Sequence, residues 1–249
     1  MKLLTAFQVM TDVFLSKICP PRYAWQDGFK FLTSDRSMIR HINRGLSEPY
    51  TGDIDIIHRY LRQYPKKNRA CVDVGAHIGT TILPYSRLFH STYGYEPNTG
   101  LFLFLKHNIF TNNIKNVTVK NKAVLNRKFK GNIKRHSITT SGCYFFEEDE
   151  SGDIEAVSLD NEQLKNVDFL KVDTEGSEFL VLKGAEKLIK KYKPLIMMEI
   201  NGMSEKNFGI ASERIFELMN GLGYLEYDRC GHNVYFWHSS TTNWATAAI

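Results

Sequence analysis

The sequence is poor in cysteine and has no long apolar run. Its four cysteines lie far apart and form no C-x-x-C pair, which argues against a disulfide framework or a zinc site and favours a reducing compartment. No stretch approaches the ~20 apolar residues that a membrane-spanning helix needs. The apolar start of the chain is interrupted by Gln8, Thr11 and Asp12, so we expect no signal peptide and a cytoplasmic location.

Acidic residues are missing from one long segment. Between Ile114 and Phe146 there are eight Lys or Arg residues and no Asp or Glu, and the acidic run 147–150 follows directly. Charge runs usually face solvent, which predicts ordinary hairpin surfaces and a charged turn. A basic rim that attracts a phosphorylated or otherwise anionic substrate is the alternative.

From residue 70 onward, short apolar runs alternate with helical patterns. This alternation predicts an α/β fold with a mostly parallel sheet and helices on both faces. The length of 249 residues and an ordinary globular composition favour one main domain. The predicted strands are 70–74, 92–96, 117–120, 167–172 and 195–200, and the predicted helices are 79–89, 99–111, 176–191 and 211–220.

The segment 123–158 interrupts this alternation. Its pattern is that of short strands, with turn-forming residues at 130–132, 141–142 and 151–152. We therefore expect a hairpin insertion after the third strand of the sheet.

The two ends of the chain also differ from its centre. Residues 53–64 have helical spacing before Pro65, inside a helical or irregular extension that we expect to span 1–69. A turn-rich connection near the C-terminus predicts an antiparallel final hairpin. The main domain is thus expected over 70–238, with a flexible tail at 239–249.

The most informative motif is an apolar strand that leads into a glycine turn. Asp73, Gly75 and Gly79 lie in this segment, and Glu96 follows at the end of the next predicted strand. Glycine lets the backbone turn sharply, so that the loop can face a polar ligand. An acid at the second strand end can accept hydrogen bonds from ribose hydroxyls. The motif predicts a nucleoside-cofactor site.

The spacing of the motif separates two classes of cofactor. The dinucleotide fingerprint G-x-G-x-x-G would need glycine at His77, where a bulky side chain hinders the approach of a pyrophosphate. Asp73 would repel a pyrophosphate, but it suits a ligand with a cationic amino group. S-adenosylmethionine has that group and no phosphate. The alternative is that Gly75 and Gly79 only permit close strand–helix packing.

A second acidic motif follows the predicted strand 167–172. Asp173 ends this strand, and we expect it in the same crevice as Asp73 and Glu96, because parallel strands end at one edge of a sheet. Three such acids repel one another unless a ligand or hydrogen bonds offset the repulsion. Glu178 is expected to complement the dipole of the next helix, and the role of Lys171 stays open.

Together these motifs resemble one known family. Residues 73–79, 96–98, 159–160 and 168–184 have the pattern of the FkbM-type S-adenosylmethionine-dependent methyltransferases. The resemblance implies a Rossmann-like class I methyltransferase fold, with a seven-stranded sheet whose last strand is antiparallel. It also implies O-methylation of a hydroxyl, often on a sugar or a natural product.

The resemblance implies S-adenosylmethionine as cofactor and S-adenosylhomocysteine as product. The chain departs from the family pattern at His77, where Asn is common, and at Thr99, where Pro is frequent. The expected cofactor-binding residues are Asp73, Gly75, Ala76, His77, Gly79, Glu96, Asn98 and Ala123.

Methyl transfer to a hydroxyl requires alignment of the reacting atoms and removal of the hydroxyl proton. Asp173 is the first candidate for this base, and Glu175, Glu199 and His136 are further candidates. Asp173 with Glu175 or Glu199 could hold a divalent ion, but no ligand spacing is decisive, so no metal is expected.

The expected acceptor is a sugar or glycan hydroxyl, including that of an anionic molecule such as a nucleotide sugar. Three alternatives stay open. An RNA 2′-O-methyltransferase would bind phosphates with the basic stretch 115–135. A NAD-dependent dehydrogenase would use the same sheet. A binding module would keep the fold without turnover, although the intact Asp73, Gly75, Glu96 and Asp173 argue against it.

Overall fold

A computed structural model describes residues 22–26, 28–34, 38–39, 42, 49–135 and 144–241 of the chain. The strands are β1 (Arg22–Gln26), β2 (Phe29–Thr33), β3 (Ala70–Val74), β4 (Ser91–Tyr95), β5 (Val117–Lys120), β6 (Ala123–Val124), β7 (Phe129–Arg135), β8 (Tyr144–Glu148), β9 (Ile154–Val157), β10 (Val167–Val172), β11 (Leu195–Glu199), β12 (Tyr224–Cys230) and β13 (Asn233–His238). The α-helices are α1 (Pro49–Gln63), α2 (Ile82–Tyr85), α3 (Thr99–Thr111), α4 (Glu178–Lys183), α5 (Glu186–Tyr192), α6 (Met203–Phe208) and α7 (Ser212–Gly221). Among the residues described, no helix combines the length and apolar character needed to cross a membrane.

The main sheet of the described residues has seven strands, in the order β12, β13, β11, β10, β3, β4, β5. The neighbours from β11 to β5 pair in parallel, whereas β13 is antiparallel to both β11 and β12. The prediction of a mixed, mostly parallel α/β sheet is confirmed. The parallel strands therefore end at one edge, where their loops meet.

The two faces of this sheet pack against different helices. Val72 belongs to a core cluster with side chains of α5 and α7, whereas Cys71 and Phe169 pack with side chains of α1. Side chains alternate along a strand, so Asp73 and Lys171 share the face that α1 covers. The helix of the N-terminal extension thus lies over the sheet face that carries these two charges.

Two predicted helices are interrupted. The helix predicted at 79–89 is wrong in extent, since only the single turn α2 is α-helical. Pro84 has no N–H to donate to the carbonyl of Thr80, which limits the helix on its N-terminal side. The helix predicted at 176–191 is wrong as one unit, since it divides into α4 and α5 at Gly184. The Asp160 carboxylate accepts the backbone N–H groups of Lys187 and Leu188, at 3.1 and 2.8 Å, and so caps the second helix.

The insertion after β5 forms a four-stranded sheet in the order β6, β9, β7, β8. The turn predicted at 130–132 is wrong, because Gly131 lies inside β7 and pairs with both β8 and β9. A Cβ atom on Gly131 would lie 2.2 Å from the carbonyl oxygen of Glu147. Glycine is needed here for close strand contact, and the turn predicted at 151–152 does join β8 to β9.

Basic residues in and next to the insertion pair with nearby acidic residues. Glu155 accepts both Lys122 and Lys128, with N–O distances of 2.8 and 2.7 Å. Arg127 pairs with Glu148 and Lys134 with Glu147, while Lys120 contacts Glu162. This arrangement agrees with the interpretation of solvent-facing hairpin surfaces, since much of the positive charge is compensated locally.

Candidate functional site

The loops after β3 and β10 approach each other closely. Gly75 and Ala76 donate their N–H groups to the Tyr95 carbonyl, both at 3.0 Å, and the Asp173 N–H reaches the Val74 carbonyl at 3.1 Å. A Cβ on Gly75 would lie 1.8 Å from the Asp173 carbonyl oxygen, and Gly75 has a φ of 84°. Only glycine fits this position, for steric and conformational reasons.

Lys171 lies at the centre of the site, between Asp73 and Asp173. Its Nζ lies 3.1 Å from Asp73 Oδ1 and 3.2 Å from Asp173 Oδ2, and it also donates to the Gly75 carbonyl at 3.3 Å. The Lys171 side chain is 2% exposed and that of Asp73 is 0% exposed. The Thr81 hydroxyl donates to the second Asp73 oxygen at 2.7 Å. One buried ammonium therefore bridges two strand ends.

This bridge corrects the reason for which Asp73 was assigned to a ligand. The Asp73 carboxylate is buried and has Lys171 as its cation, so its charge is not open to the amino group of a ligand. Burial raises the pKa of Asp73, while the charge of Lys171 and the hydrogen bond from Thr81 lower it. Asp73 supports the site from below, and Asp173 is the acid of this pair that remains accessible.

Glu96 is fixed by the backbone of two loops. Its Oε2 accepts the His77 N–H at 2.9 Å, and its Oε1 accepts the Asn98 N–H at 2.8 Å. The residue is 5% exposed, and burial raises its pKa to about 7, opposed by these two hydrogen bonds. The Asn98 side chain caps helix α3 by accepting the Leu101 N–H at 3.1 Å. The turn after β3 and the start of α3 are thus joined by one carboxylate.

Two further acids meet Asp173 beside Lys171. Carboxylate oxygens of Asp173, Glu175 and Glu199 lie within 4.8 Å of one another, and all three residues are half-buried. Burial, followed by repulsion from Asp173, raises the pKa of Glu175 to about 7 and that of Glu199 to about 8. The cluster can therefore hold and release protons near neutral pH. Of the described residues, these three are the ones that could hold a divalent cation.

Glu178 fixes the loop that carries two of these acids. Its Oε1 accepts the N–H groups of Thr174 and Gly176 and the Thr174 hydroxyl, each at 3.0 Å. The Asn207 amide donates to the Glu175 carbonyl at 2.7 Å. Glu178 is 3% exposed, so its contact is with this loop as well as with the dipole of α4. The strained turn, with φ of 57° at Glu175, is held from two sides.

Helix α1 supplies a contact that the sequence did not reveal. Asp53 accepts the Tyr235 hydroxyl at 2.7 Å and the Asn233 amide at 2.8 Å. It is 2% exposed, and burial raises its pKa to about 6. Asn233 lies opposite Glu199 in the pairing of β13 with β11. The first turns of α1 are thereby attached next to the acid cluster.

The other predicted site residues have separate positions. Gly79 is buried and has a φ of 103°, and a Cβ there would lie 2.6 Å from Leu83 Cδ1, so backbone conformation as well as packing favours glycine here. Ala76 is fully buried beneath the turn. The Ala123 side chain lies in the core of the four-stranded sheet, with Leu125 among its neighbours. His136 lies outside the described residues.

Comparison with models of protein families matches one methyltransferase family. The family model described as the methyltransferase FkbM domain matches residues 73–226. No curated protein sequence matches the chain. Solved structures with similar folds include the methyltransferase FkbM from Methylobacillus flagellatus KT, at 20% identity and a TM-score of 0.47. That match covers 69% of this chain, which spans 44% of the length of the Methylobacillus protein.

Two other solved structures are similar over a larger share of the chain. A Streptococcus mutans protein in complex with S-adenosylhomocysteine is 11% identical, with a TM-score of 0.46 and coverage of 77% of this chain and 97% of its own. An rRNA methylase from Streptococcus thermophilus is also 11% identical, with a TM-score of 0.45 and coverage of 78% and 98%.

Replacement of Lys171 by Met should destabilise the fold. It leaves Asp73 as a buried charge without its cation, so we expect the free energy of unfolding at neutral pH to fall by about 3–5 kcal/mol. Urea denaturation measures this change. Lys190→Met is the control, because Lys190 is exposed and pairs with Glu186 on one helix. Equal losses in the two variants would contradict a central role for Lys171.

The acid cluster should make stability fall as pH rises. The native state raises the pKa of Glu175 and Glu199 from 4.5 to about 7 and about 8. It therefore binds their protons more tightly than the unfolded chain, and this contribution to stability is lost between pH 4.5 and about 8.

Urea denaturation across this pH range tests the effect. Glu199→Gln should flatten the decline, whereas Glu217→Gln, which changes an exposed acid on α7, should leave it unchanged. A Glu199→Gln variant with the wild-type slope would show that the cluster does not cause the decline.

Proposed function

The chain belongs to the FkbM methyltransferase domain family, and from this membership we propose that it transfers a methyl group from S-adenosylmethionine to a hydroxyl of a sugar or glycan. The observation that carries the choice of acceptor atom is the cluster of Asp173, Glu175 and Glu199. Carboxylates near neutral pKa can accept the proton that a hydroxyl must lose. The cluster lies at the carboxyl edge of the sheet, where ligands of open α/β folds bind.

The residues of the β3 and β4 loops fit a nucleoside cofactor without phosphates. Each Glu96 oxygen accepts one backbone N–H and keeps a further acceptor site, which suits the two hydroxyls of a ribose. Asp173 lies beside the Gly75 turn, and its carboxylate would repel a pyrophosphate there. This charge distribution favours S-adenosylmethionine over a nicotinamide dinucleotide.

The proposed reaction is a displacement in which the acceptor oxygen attacks a methyl carbon. S-adenosylmethionine supplies a methyl group on a cationic sulfur. Asp173 accepts a hydrogen bond from the acceptor hydroxyl and orients its oxygen. Glu199 or Glu175 takes up the proton as the carbon–oxygen bond forms, because burial and repulsion hold the pKa of each carboxylate near neutrality. Lys171 keeps Asp173 in place.

Hydroxyl-rich acceptors suit the cluster better than phosphates do. A carboxylate accepts hydrogen bonds from hydroxyl groups, whereas it repels a phosphate at the same distance. The basic residues that an RNA acceptor would need are largely paired with Glu147, Glu148, Glu155 and Glu162. These contacts weaken the alternative of RNA 2′-O-methylation.

The proposed acceptor side is the region between the acid cluster and α1. Asp53 attaches the start of this helix to β13, beside Glu199. We assign residues 1–69 to an acceptor-side extension, 70–238 to the methyltransferase domain and 239–249 to a tail. In this division the hydrogen bonds of Asp53 attach the extension to the methyltransferase domain.

Glu96→Ala should weaken S-adenosylhomocysteine binding by roughly tenfold or more, since hydrogen bonds to a charged group are removed. Isothermal titration calorimetry measures the affinity. Glu213→Ala changes an exposed acid of α7 and serves as the control. A melting temperature close to that of the wild type would show that the loop still folds. Unchanged affinity in such a variant would remove Glu96 from the cofactor site.

Asp173→Asn should lower turnover by about 10²–10⁴-fold while changing S-adenosylhomocysteine affinity much less, because Asp173 orients the acceptor hydroxyl and not the cofactor. The assay uses labelled S-adenosylmethionine with glycans, nucleotide sugars and RNA as separate acceptors. Wild-type activity in the variant would exclude Asp173 from the mechanism. Label in RNA alone would overturn the sugar assignment, and activity that a chelator abolishes would show that the cluster needs a metal.

A further inference from the structure

Four large apolar side chains form one exposed surface on β1 and α3. The exposed fractions are 44% for Tyr23, 63% for Trp25, 61% for Leu103 and 84% for Phe110. The Tyr23 hydroxyl lies 3.0 Å from His107 Nε2, which connects the hairpin to the helix. Leu103, His107 and Phe110 have the i, i+4, i+7 spacing of one helix face. We call this surface the aromatic face.

The aromatic face lies on the outer side of β1 and α3, and the inner side of both elements is packed in the protein core. Ala24, Phe29 and Phe31 are buried on the inner side of the β1–β2 hairpin, and Leu105 is buried on the inner side of α3. The fully buried Asn108 accepts the Leu32 N–H at 2.7 Å and donates to the Ile78 carbonyl at 2.9 Å. The exposed side chains of the aromatic face are therefore attached to a hairpin and a helix that are packed against the protein core.

Among the described residues of β1, β2 and α3, the charged side chains are all basic. The Lys30 Nζ lies 3.7 Å from the ring centroid of Tyr23 and 5.2 Å from that of Trp25. Arg22 and Lys106 are exposed on the same two elements. The described residues 22–26, 28–34 and 97–135 contain no Asp or Glu. An exposed apolar surface is thus surrounded by cations without acidic partners on its own elements.

We propose that the aromatic face docks on the surface of an anionic lipid bilayer. Trp and Tyr rings favour the interface between headgroups and acyl chains, and Phe and Leu gain from burial below it. Lysine and arginine side chains extend to lipid phosphates while their stems cover apolar atoms. The surface offers both components together, with its charges complementary to the lipid.

Other occupants fit this surface less well. A symmetric dimer through the aromatic face would bring Lys30 and Lys106 of one copy toward the same residues of the other, which disfavours association. A nucleic-acid duplex would leave Leu103 and Phe110 with little to bind, because its exposed phosphate backbone is recognised by hydrogen-bond donors. The bilayer surface uses the apolar and the cationic residues at once.

Vesicle sedimentation tests the proposal without requiring catalysis. The full chain is mixed with vesicles of phosphatidylcholine alone, or of phosphatidylcholine with phosphatidylglycerol. We expect binding to the anionic vesicles that weakens with added salt. The variant with Trp25→Ser and Phe110→Ser should bind roughly tenfold or more weakly, since two apolar side chains are lost. Leu225→Ser is the matched control, because Leu225 is 51% exposed on β12 at the opposite edge of the sheet.

The outcomes separate the bilayer from other occupants. Equal binding by the wild type and the double variant, or no binding to anionic vesicles, overturns the proposal. A dimer seen by analytical ultracentrifugation that the double variant abolishes assigns the surface to a second copy instead. The difference in tryptophan fluorescence between the wild type and the Trp25→Phe variant reports on Trp25 alone. If this emission resists acrylamide quenching before vesicles are added, another part of the protein covers the face, and the proposal fails.

Discussion

The buried ammonium of Lys171 is the contact on which the site depends. Asp73 and Asp173 end neighbouring strands, and two carboxylates at this separation would repel each other without a cation between them. With Lys171 in place, the β3 and β10 loops can approach until only glycine fits at Gly75. A buried triad of this kind needs further partners for its polar atoms, and the Thr81 hydroxyl and the Gly75 carbonyl supply two of them.

The same contact divides the acids into two groups with different surroundings. Asp73 and Glu96 are almost fully buried, and each is held by groups of the protein. Glu175 and Glu199 are half-buried. Among the ion pairs of the described residues, neither has a lysine partner, whereas Asp173 has Lys171. Burial and mutual repulsion therefore act on their pKa values with little compensation. The acids of one crevice thus have two kinds of surroundings, one compensated by the protein and one not.

Local patterns predicted much of this arrangement. The strands at 70–74, 117–120 and 167–172 and the helix at 99–111 have the predicted bounds, because each is a short apolar or amphipathic run with clear ends. The role of Lys171 stayed open because its partners come from two strands. The alternation of side chains places it on the face of Asp173, but only the pairing of β10 with β3 brings it beside Asp73. In the same way, Gly131 has the local signal of a turn, and its two strand neighbours decide otherwise.

The proposed cofactor side and the proposed acceptor side differ in how the sequence specifies their residues. Backbone N–H groups of the β3 and β4 loops bind Glu96, so a short continuous motif specifies that half of the site. The proposed acceptor side joins Asp53 of α1, Tyr235 of β13 and the acids at the ends of β10 and β11. These residues are far apart in sequence, and their proximity follows from the packing of α1 on the sheet. A family motif can therefore identify the methyl donor, while the identity of the acceptor depends on tertiary contacts that the motif does not contain.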